Sequence, residues 1–368
     1  MKRYDAALII AASENDANLF YATKFLAPDP FIYLQTSEKR IIFVSDLEFE
    51  RAKKQAKVDE IISINKYKKN SSKFIEIAEK ILKEYRIRNI LVPENFRLAD
   101  YSFLTDKGYK IDFKEEPFFE KRLIKTNEEV EAIKETQKYL EEALDEAIRF
   151  LRVCTIKDGF IWYDKKQVTS EDIKRIINLR LVKNNCNAKH TIVSCGNDAV
   201  EPHNEGYGAL KANEQIIIDI FPQSMNTMYY ADMTRTIVKG KAPLKLKNIF
   251  ETVLKAQQLA ISIVKTGVDG KDIETKVREY FEKNNYKTNF NDKKQGFIHN
   301  LGHGIGLEIH EYPRVGGSSF KLQEGNVITI EPGLYYEDKG AVRIEDMILV
   351  TKNSYINLTK YPKYLEVP

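Results

Sequence analysis

Cysteine is scarce in this chain, with three in 368 residues (Cys154, Cys186 and Cys195). They are too few and too far apart for a disulfide framework, and none forms a CxxC pair, so a reducing, cytoplasmic setting is expected. Long apolar runs are also missing. The one near the start, AALII from Ala6 to Ile10, follows Asp5 and is too short to cross a bilayer. It lacks the flanking pattern of a signal peptide and reads as a buried first strand, so no membrane partner is expected. Charge of one sign is wanting too: Lys and Arg number 58 against 54 Asp and Glu, a net +4. That excess is scattered through mixed stretches such as KKQAKVDE, which is a solvated surface and not a nucleic-acid face. Finally there is no HExxH. In His310-Glu311-Tyr312-Pro313-Arg314 an arginine stands where the second histidine would be, which excludes a helical zincin.

What is present suffices for folded domains, with 43% hydrophobic and 11% aromatic residues, and the length predicts two of them. Residues 1–122 read as alternating strands (Ala7 to Ala11, Arg40 to Val44, Ile90 to Val92) and helices (Leu47 to Lys57, Ser72 to Tyr85). This is a small α/β domain in which no nucleotide fingerprint or catalytic cluster stands out. A boundary falls near Phe118 to Lys125, and residues 123–368 form the second domain. It opens with T-N-E-E at Thr126, a capping box, and a helix to about Leu151 with Val130, Ile133, Leu140, Leu144 and Ile148 on one face. A helix after Ser170 follows, then strands around Thr191 to Ser194, Ile216 to Phe221 and Met228 to Val238. The order then repeats: helices at Leu246 to Lys265 and Asp272 to Asn284, and strands at Val327 to Ile330 and Val342 to Val350.

Each half ends in a strand pair with two carboxylates, Asp219 with Asp232 and Glu331 with Glu345, separated by 13 and 14 residues. Two related hairpins aimed at one centre account for this spacing, and imply internal duplication. A charge in a continuous apolar run such as IIIDIF, VITIEPG or VRIEDMILV is costly unless paired or coordinated. One such residue is adequately explained as a satisfied buried ion pair. Four converging carboxylates repel one another unless a cation lies between them, so metal binding is the economical account.

His303, in HNLGHGIGLEIHE, is the fifth candidate ligand, with Gly302 and Gly304 beside it. An oxygen-rich set with one imidazole suits Mn, Co, Fe or Zn better than a structural zinc site. Two such ions about 3.5–4 Å apart could share bridging carboxylates and a water acidified for attack on a carbonyl. His203 and His310 are candidates for holding the substrate carbonyl and its developing oxyanion. His299 fits a packed side chain as well as a functional one.

The ordered set IIIDIF…YYADMTRT, HNLGHGIGLEIHE, VITIEPGLYY and GAVRIEDMILVT closely resembles the pita-bread metallopeptidases. The match is nearest to Xaa-Pro dipeptidases (prolidases) and Xaa-Pro aminopeptidases, and covers about residues 120–368. It implies an α+β fold: a pita-bread catalytic domain with internal pseudo-duplication, preceded by a smaller α/β domain like the N-terminal domain of creatinases and prolidases. It implies a cytoplasmic homodimer that hydrolyses the Xaa-Pro bond of dipeptides or at peptide N-termini, using two divalent ions. By position, Asp232 and Glu345 match ligands that bridge both ions, Asp219 a ligand to one, and His303 with Glu331 ligands to the other. Glu331 matches the general base, His203 and His310 the carbonyl-contacting histidines, and Arg343 an arginine that orders the ligand carboxylates. Methionine aminopeptidases resemble the chain in all five ligands but usually lack the long first domain and an arginine two residues before the last ligand. A non-catalytic relative used as an interaction platform typically loses ligands, which this chain keeps. One departure is Phe221-Pro222 in the first hairpin, where Pro222 cannot donate to a ladder and a local bulge is expected.

Overall fold

The computed structural model describes residues 4–68, 73–289, 292 and 294–368. The chain divides into two compact units, Met1–Arg122 and Leu123–Pro368. In the first unit the elements are β1 (Ala6–Ala11), α1 (Ala17–Thr23), β2 (Phe31–Gln35), β3 (Arg40–Val44), α2 (Asp46–Gln55), β4 (Glu60–Ser63), α3 (Phe74–Glu84), β5 (Asn89–Pro93), α4 (Leu98–Asp106) and β6 (Lys110–Lys114). They form one six-stranded sheet in the order β4-β3-β2-β1-β5-β6. Both faces are covered. Leu8, Ile32 and Phe43 pack with Ile77, Ile81 and Leu82 of α3, while Ala7, Ile9 and Tyr33 pack with Leu19 and Ala52 of α1 and α2. A strand buried on both faces needs no polar alternation, which is why AALII is uninterrupted. β2, β4 and β6 lack so plain a signal: Pro28 and Pro30 precede the first, and Glu60, Lys110 and Lys114 flank the others. The helix expected from Ser72 begins at Phe74 among the described residues, and Ser72 itself lies outside them.

The second unit opens on α5 (Asn127–Val153). Its capping box is formed in both directions: Glu129 N–H donates to Thr126 Oγ1 at 3.3 Å, and Thr126 N–H to Glu129 Oε2 at 2.9 Å. β7 (Thr155–Lys157), β8 (Phe160–Tyr163) and β9 (Lys166–Gln167) make a small meander, followed by α6 (Ser170–Lys183). Then come β10 (Cys186–Asn187), β11 (Ile192–Cys195), β12 (Gln215–Ile220), β13 (Gln223–Ser224) and β14 (Met233–Lys239). The second half repeats the plan with α7 (Leu244–Ser262), α8 (Gly270–Lys283), β15 (Gly302–Gly304), β16 (Glu311–Val315), β17 (Val327–Ile330), β18 (Gly333–Tyr336), β19 (Gly340–Arg343), β20 (Asp346–Val350), β21 (Tyr355–Asn357) and β22 (Glu366–Val367). The principal sheets run β11-β12-β14-β22 and β16-β15-β17-β20-β21. α7 and α8 cover the second, burying Leu246, Val253, Ile273 and Phe281 with Ile328, Ile330 and Ile348. Cys154, Cys186 and Cys195 are all free thiols. Among the described residues no helix is long and apolar enough to cross a membrane.

Two strand expectations are corrected. The segment Met228 to Val238 is extended only from Met233, because Met228 adopts a left-handed conformation (φ 65°) at the hairpin tip. The bulge expected at Pro222 is also absent. Ile220 faces Met233 and Gln223 faces Tyr230, so two residues intervene on each side and the register is kept. Pro222 gives no N–H, but its carbonyl accepts from Ala231 N–H at 3.0 Å. Secondly, Val342 to Val350 is two strands and not one. β19 pairs with β18 and β20 with β17, and the chain changes sheets at Ile344-Glu345.

The exposed cap gives a direct check on α5. Thr126→Ala removes the acceptor for Glu129 N–H and is expected to cost about 1 kcal/mol in chemical denaturation.

Candidate metal centre

All four carboxylates sit where a strand begins or ends. Asp219 is the penultimate residue of β12, and Asp232 immediately precedes β14. Glu331 follows β17, and Glu345 precedes β20. A strand end lets a side chain leave the apolar layer while its backbone stays anchored. His303, in the middle of β15, completes the group. Ligand atoms of Asp232, His303 and Glu345 all lie within 4.8 Å of one another. His303 Nε2 is 3.4 Å from Glu331 Oε1 and 3.7 Å from Asp232 Oδ2.

Burial dominates the electrostatics. It raises the Asp232 carboxyl well above the usual range, and the charges of Glu345, Asp219 and Glu331 push the same way. Burial and then Glu345 do the same for Glu331. Glu345 is pushed up to about 8, by burial first and then by Asp219. Burial and the neighbouring His310 lower the His303 imidazole to about 3, so it is neutral at physiological pH. The His303 Nδ1 hydrogen points to Gly304 O at 3.1 Å, the tautomer that this carbonyl acceptor demands, and the Nε2 lone pair therefore faces the carboxylates. Three buried oxygens, Asp219 Oδ1, Asp232 Oδ1 and Glu345 Oε1, accept no hydrogen bond among the described residues. Clustered acceptors with no donors are the complement of a cation, so these residues fit divalent metal.

The remaining oxygens are held firmly. Arg343 Nη2 donates to Asp219 Oδ2 at 2.8 Å, and its Nε to Thr234 Oγ1 at 3.2 Å. Thr234 Oγ1 in turn donates to Glu345 Oε2 at 2.8 Å. One guanidinium thus orients a carboxylate from each hairpin. Arg343 Nη1 also donates to Tyr335 Oη at 2.9 Å and to Pro202 O at 3.1 Å, which fixes the turn bearing His203. His299 Nε2 lies 3.1 Å from Tyr335 Oη, the hydroxyl that also accepts from Arg343. The glycines beside His303 serve close strand packing, since a Cβ on Gly302 would strike the Thr329 carbonyl and one on Gly304 the Tyr312 carbonyl.

His310 stands edge-to-face on His303, with ring centroids 4.3 Å apart. Its pKa is lowered by burial and by the nearby His203. In the sequence, Arg314 stands out only as the residue that breaks HExxH. It is an exposed guanidinium whose charge reaches both His303 and His310, and it has no carboxylate partner among the described residues. Its position four residues after His310, on β16, was the available signal.

With this geometry in view, the comparisons are specific. The model of metallopeptidase family M24 matches residues 131–352. The Xaa-Pro dipeptidase of Pyrococcus furiosus is 31% identical over 89% of this chain and 86% of its own length. Among solved structures, the X-Pro aminopeptidase of Thermotoga maritima superposes with a TM-score of 0.84 at 25% identity, covering 99% of this chain and 98% of that one. The prolidase of Pyrococcus furiosus gives 0.81 at 28% identity, covering 98% and 97%. The chain belongs to metallopeptidase family M24, and it is an enzyme with the pita-bread fold. Within that family its likeness is to prolidases and X-Pro aminopeptidases.

The raised carboxyls predict an inverted stability profile for chelated protein. Glu345 titrates at about 8 when folded against 4.5 normally, so between those values the folded chain holds a proton that the unfolded chain has released. Stability then falls as pH rises through that window, and Asp232 and Glu331 add in the same direction. Chelated protein should melt lower at pH 8 than at pH 5.5, and Glu345→Gln should flatten the slope. A Tm that climbs across the window would contradict this.

Proposed function

We propose that this chain hydrolyses Xaa-Pro dipeptides at a centre where Asp219, Asp232, His303, Glu331 and Glu345 hold two divalent cations. The three buried carboxylate oxygens without donors carry the metal part of this reading. An oxygen-rich set with one neutral imidazole fits Mn, Co, Fe or Zn. Asp232 and Glu345, both buried among the other acids, would be the carboxylates shared between the cations, as the family resemblance implies. When bound, the cations supply a water acidic enough to attack at neutral pH and polarise the scissile carbonyl.

The chain's own groups do the rest. Glu331 is the most exposed of the four carboxylates, and its only side-chain donor among the described residues is Thr329 Oγ1, at a long 3.5 Å. It is free to take the proton of the attacking water and deliver it to the leaving proline nitrogen, as general base and then acid. That nitrogen belongs to a tertiary amide with no N–H of its own, so the delivered proton is what completes the departing secondary amine. His310 and His203 donate N–H to the carbonyl oxygen as it becomes an oxyanion. Arg314 supports a dipeptide over a longer chain: an unpaired guanidinium beside the centre suits a free carboxylate on the proline residue. The names of the Pyrococcus relatives point the same way. The first unit is taken as a creatinase/prolidase-type N-terminal domain, and the enzyme as a cytoplasmic homodimer, which a monomeric mass in light scattering would remove.

A panel of Ala-Pro, Ala-Pro-Gly and Met-Ala-Ser with added Mn, Co or Zn tests the reading. Ala-Pro should be cleaved. Cleavage of Ala-Pro-Gly as well would make the enzyme an aminopeptidase, and activity on Met-Ala-Ser alone would sink the proline-specific reading. Glu331→Gln should lower kcat by about 10²–10⁴-fold. Arg314→Ala should raise KM for Ala-Pro by about tenfold or more, with a much smaller effect on the amide Ala-Pro-NH₂. Equal effects on both substrates would remove the carboxylate role.

A further inference from the structure

We infer that Gln257 is a positioning residue for the metal centre: its side-chain amide fastens together the strands bearing Glu331 and Glu345 where the ladder between them is interrupted. The inference rests on the metal site proposed above.

The two hairpins reach the centre differently. In the first, the ladder runs past the ligand, since Asp219 faces Thr234 and the next rung pairs Ile220 with Met233. In the second, the last rung of β17 and β20 pairs Ile330 with Asp346, and both ligands lie beyond it. Pro332 follows Glu331 and gives the ladder no N–H, although its carbonyl accepts from Ile344 N–H at 3.4 Å. Pairing resumes in the same register at Gly333 and Arg343. Glu331 N–H donates to Leu301 O at 2.8 Å and Glu345 N–H to Thr234 O at 3.1 Å, so each turns to a different neighbour. The two ligands thus occupy a gap between two stretches of one ladder.

Gln257 sits at that gap. It lies on the buried stripe of α7 with Val253, Ala256, Ala260 and Ile261, and is itself wholly enclosed. Nε2 donates to Ile330 O at 3.0 Å and to Ile344 O at 3.1 Å, the carbonyls immediately preceding Glu331 and Glu345. Both partners are acceptors, so the nitrogen end of the amide must face them, and a flipped amide would set oxygen against oxygen. Oε1 has no partner among the described residues. Half of a buried amide is therefore left unsatisfied, a cost that an apolar side chain would avoid. What the amide provides in return is one rigid link between two peptide groups, each a single residue from a ligand. The buried glutamine of α5 makes no such link: Gln137 Nε2 meets Glu141 Oε1 at 3.1 Å and Met233 Sδ at 3.7 Å. The clamp occurs in the half whose ladder is interrupted at the ligands.

The test compares the full-length protein with Gln257→Met, which keeps volume and removes both donors, and with Gln257→Asn, which keeps the amide but withdraws it by one methylene. Gln258→Ala, on the exposed side of α7, is the control. Mn²⁺ binding is read by calorimetric titration of chelator-stripped protein, alongside its Tm and the kinetics of Ala-Pro cleavage. Both Gln257 variants should bind Mn²⁺ about 10–100-fold more weakly than wild type, with kcat lowered more than KM is raised. The Tm of each stripped variant checks that it is folded, since Gln257→Met removes the unsatisfied oxygen but also takes this donor from Ile330 O and Ile344 O. Mn²⁺ affinities within about twofold of wild type in either folded variant would overturn the inference, because positioning defects in metal sites are larger than that. Wild-type protein that takes up no Mn²⁺ and cleaves no Ala-Pro would instead overturn the proposed function.

Discussion

Four carboxylates that repel one another at the end of two hairpins are the constraint around which the second unit is arranged. At an effective dielectric of about 20, two like charges 4 Å apart cost about 4 kcal/mol, and burial sharpens the conflict. The strain is visible in the proton balance, since Asp232, Glu331 and Glu345 all hold their protons above the usual carboxylate range. A fold keeps such a cluster only by anchoring every group that holds it. Arg343 meets Asp219 directly and Glu345 through Thr234, while Arg235 donates to the Glu345 carbonyl at 2.7 Å and pairs with Asp346 at 2.9 Å.

The duplicated halves solve the same placement problem with different means. The first hairpin keeps its hydrogen-bonded rungs beside the ligand and lets Arg343 hold the free carboxylate. The second interrupts its ladder at Glu331 and Glu345 and adds groups from outside the hairpin: Leu301, Thr234 and the α7 amide of Gln257. Pseudo-symmetry therefore holds for element order and not for the bonds that position each ligand. The break has a chemical consequence, because the less tethered Glu331 is the carboxylate to which a mobile proton is assigned.

Legibility in the sequence followed how much each signal depended on local context. A charge inside IIIDIF or VITIEPG is conspicuous because its neighbours are all apolar, and the capping box of α5 is complete within four residues. β1, β3 and β5 announced themselves as apolar runs, while β2, β4 and β6 did not, because proline or charge at their margins masks strands whose partners are distant. Arg343 is legible only through family resemblance. Arg314 and Gln257 carry no such signal: an arginine near a histidine is ordinary, and one glutamine on an apolar helix face gives no hint of which carbonyls it meets.

By itself, then, the sequence determined the order of elements, the doubled hairpin and the residue types able to bind a cation, since these depend on periodicity and on the cost of burying charge. Tertiary structure decided what hydrogen-bond geometry alone can decide. It interrupted the pairing of Val342–Val350 at Glu345, kept the register through Pro222, set His299 against Tyr335, and brought α7 to the carbonyls beside two ligands. Each of these is set by a partner far away in the chain, and a hydrogen bond is specified by where its acceptor lies and not by the residue that donates it.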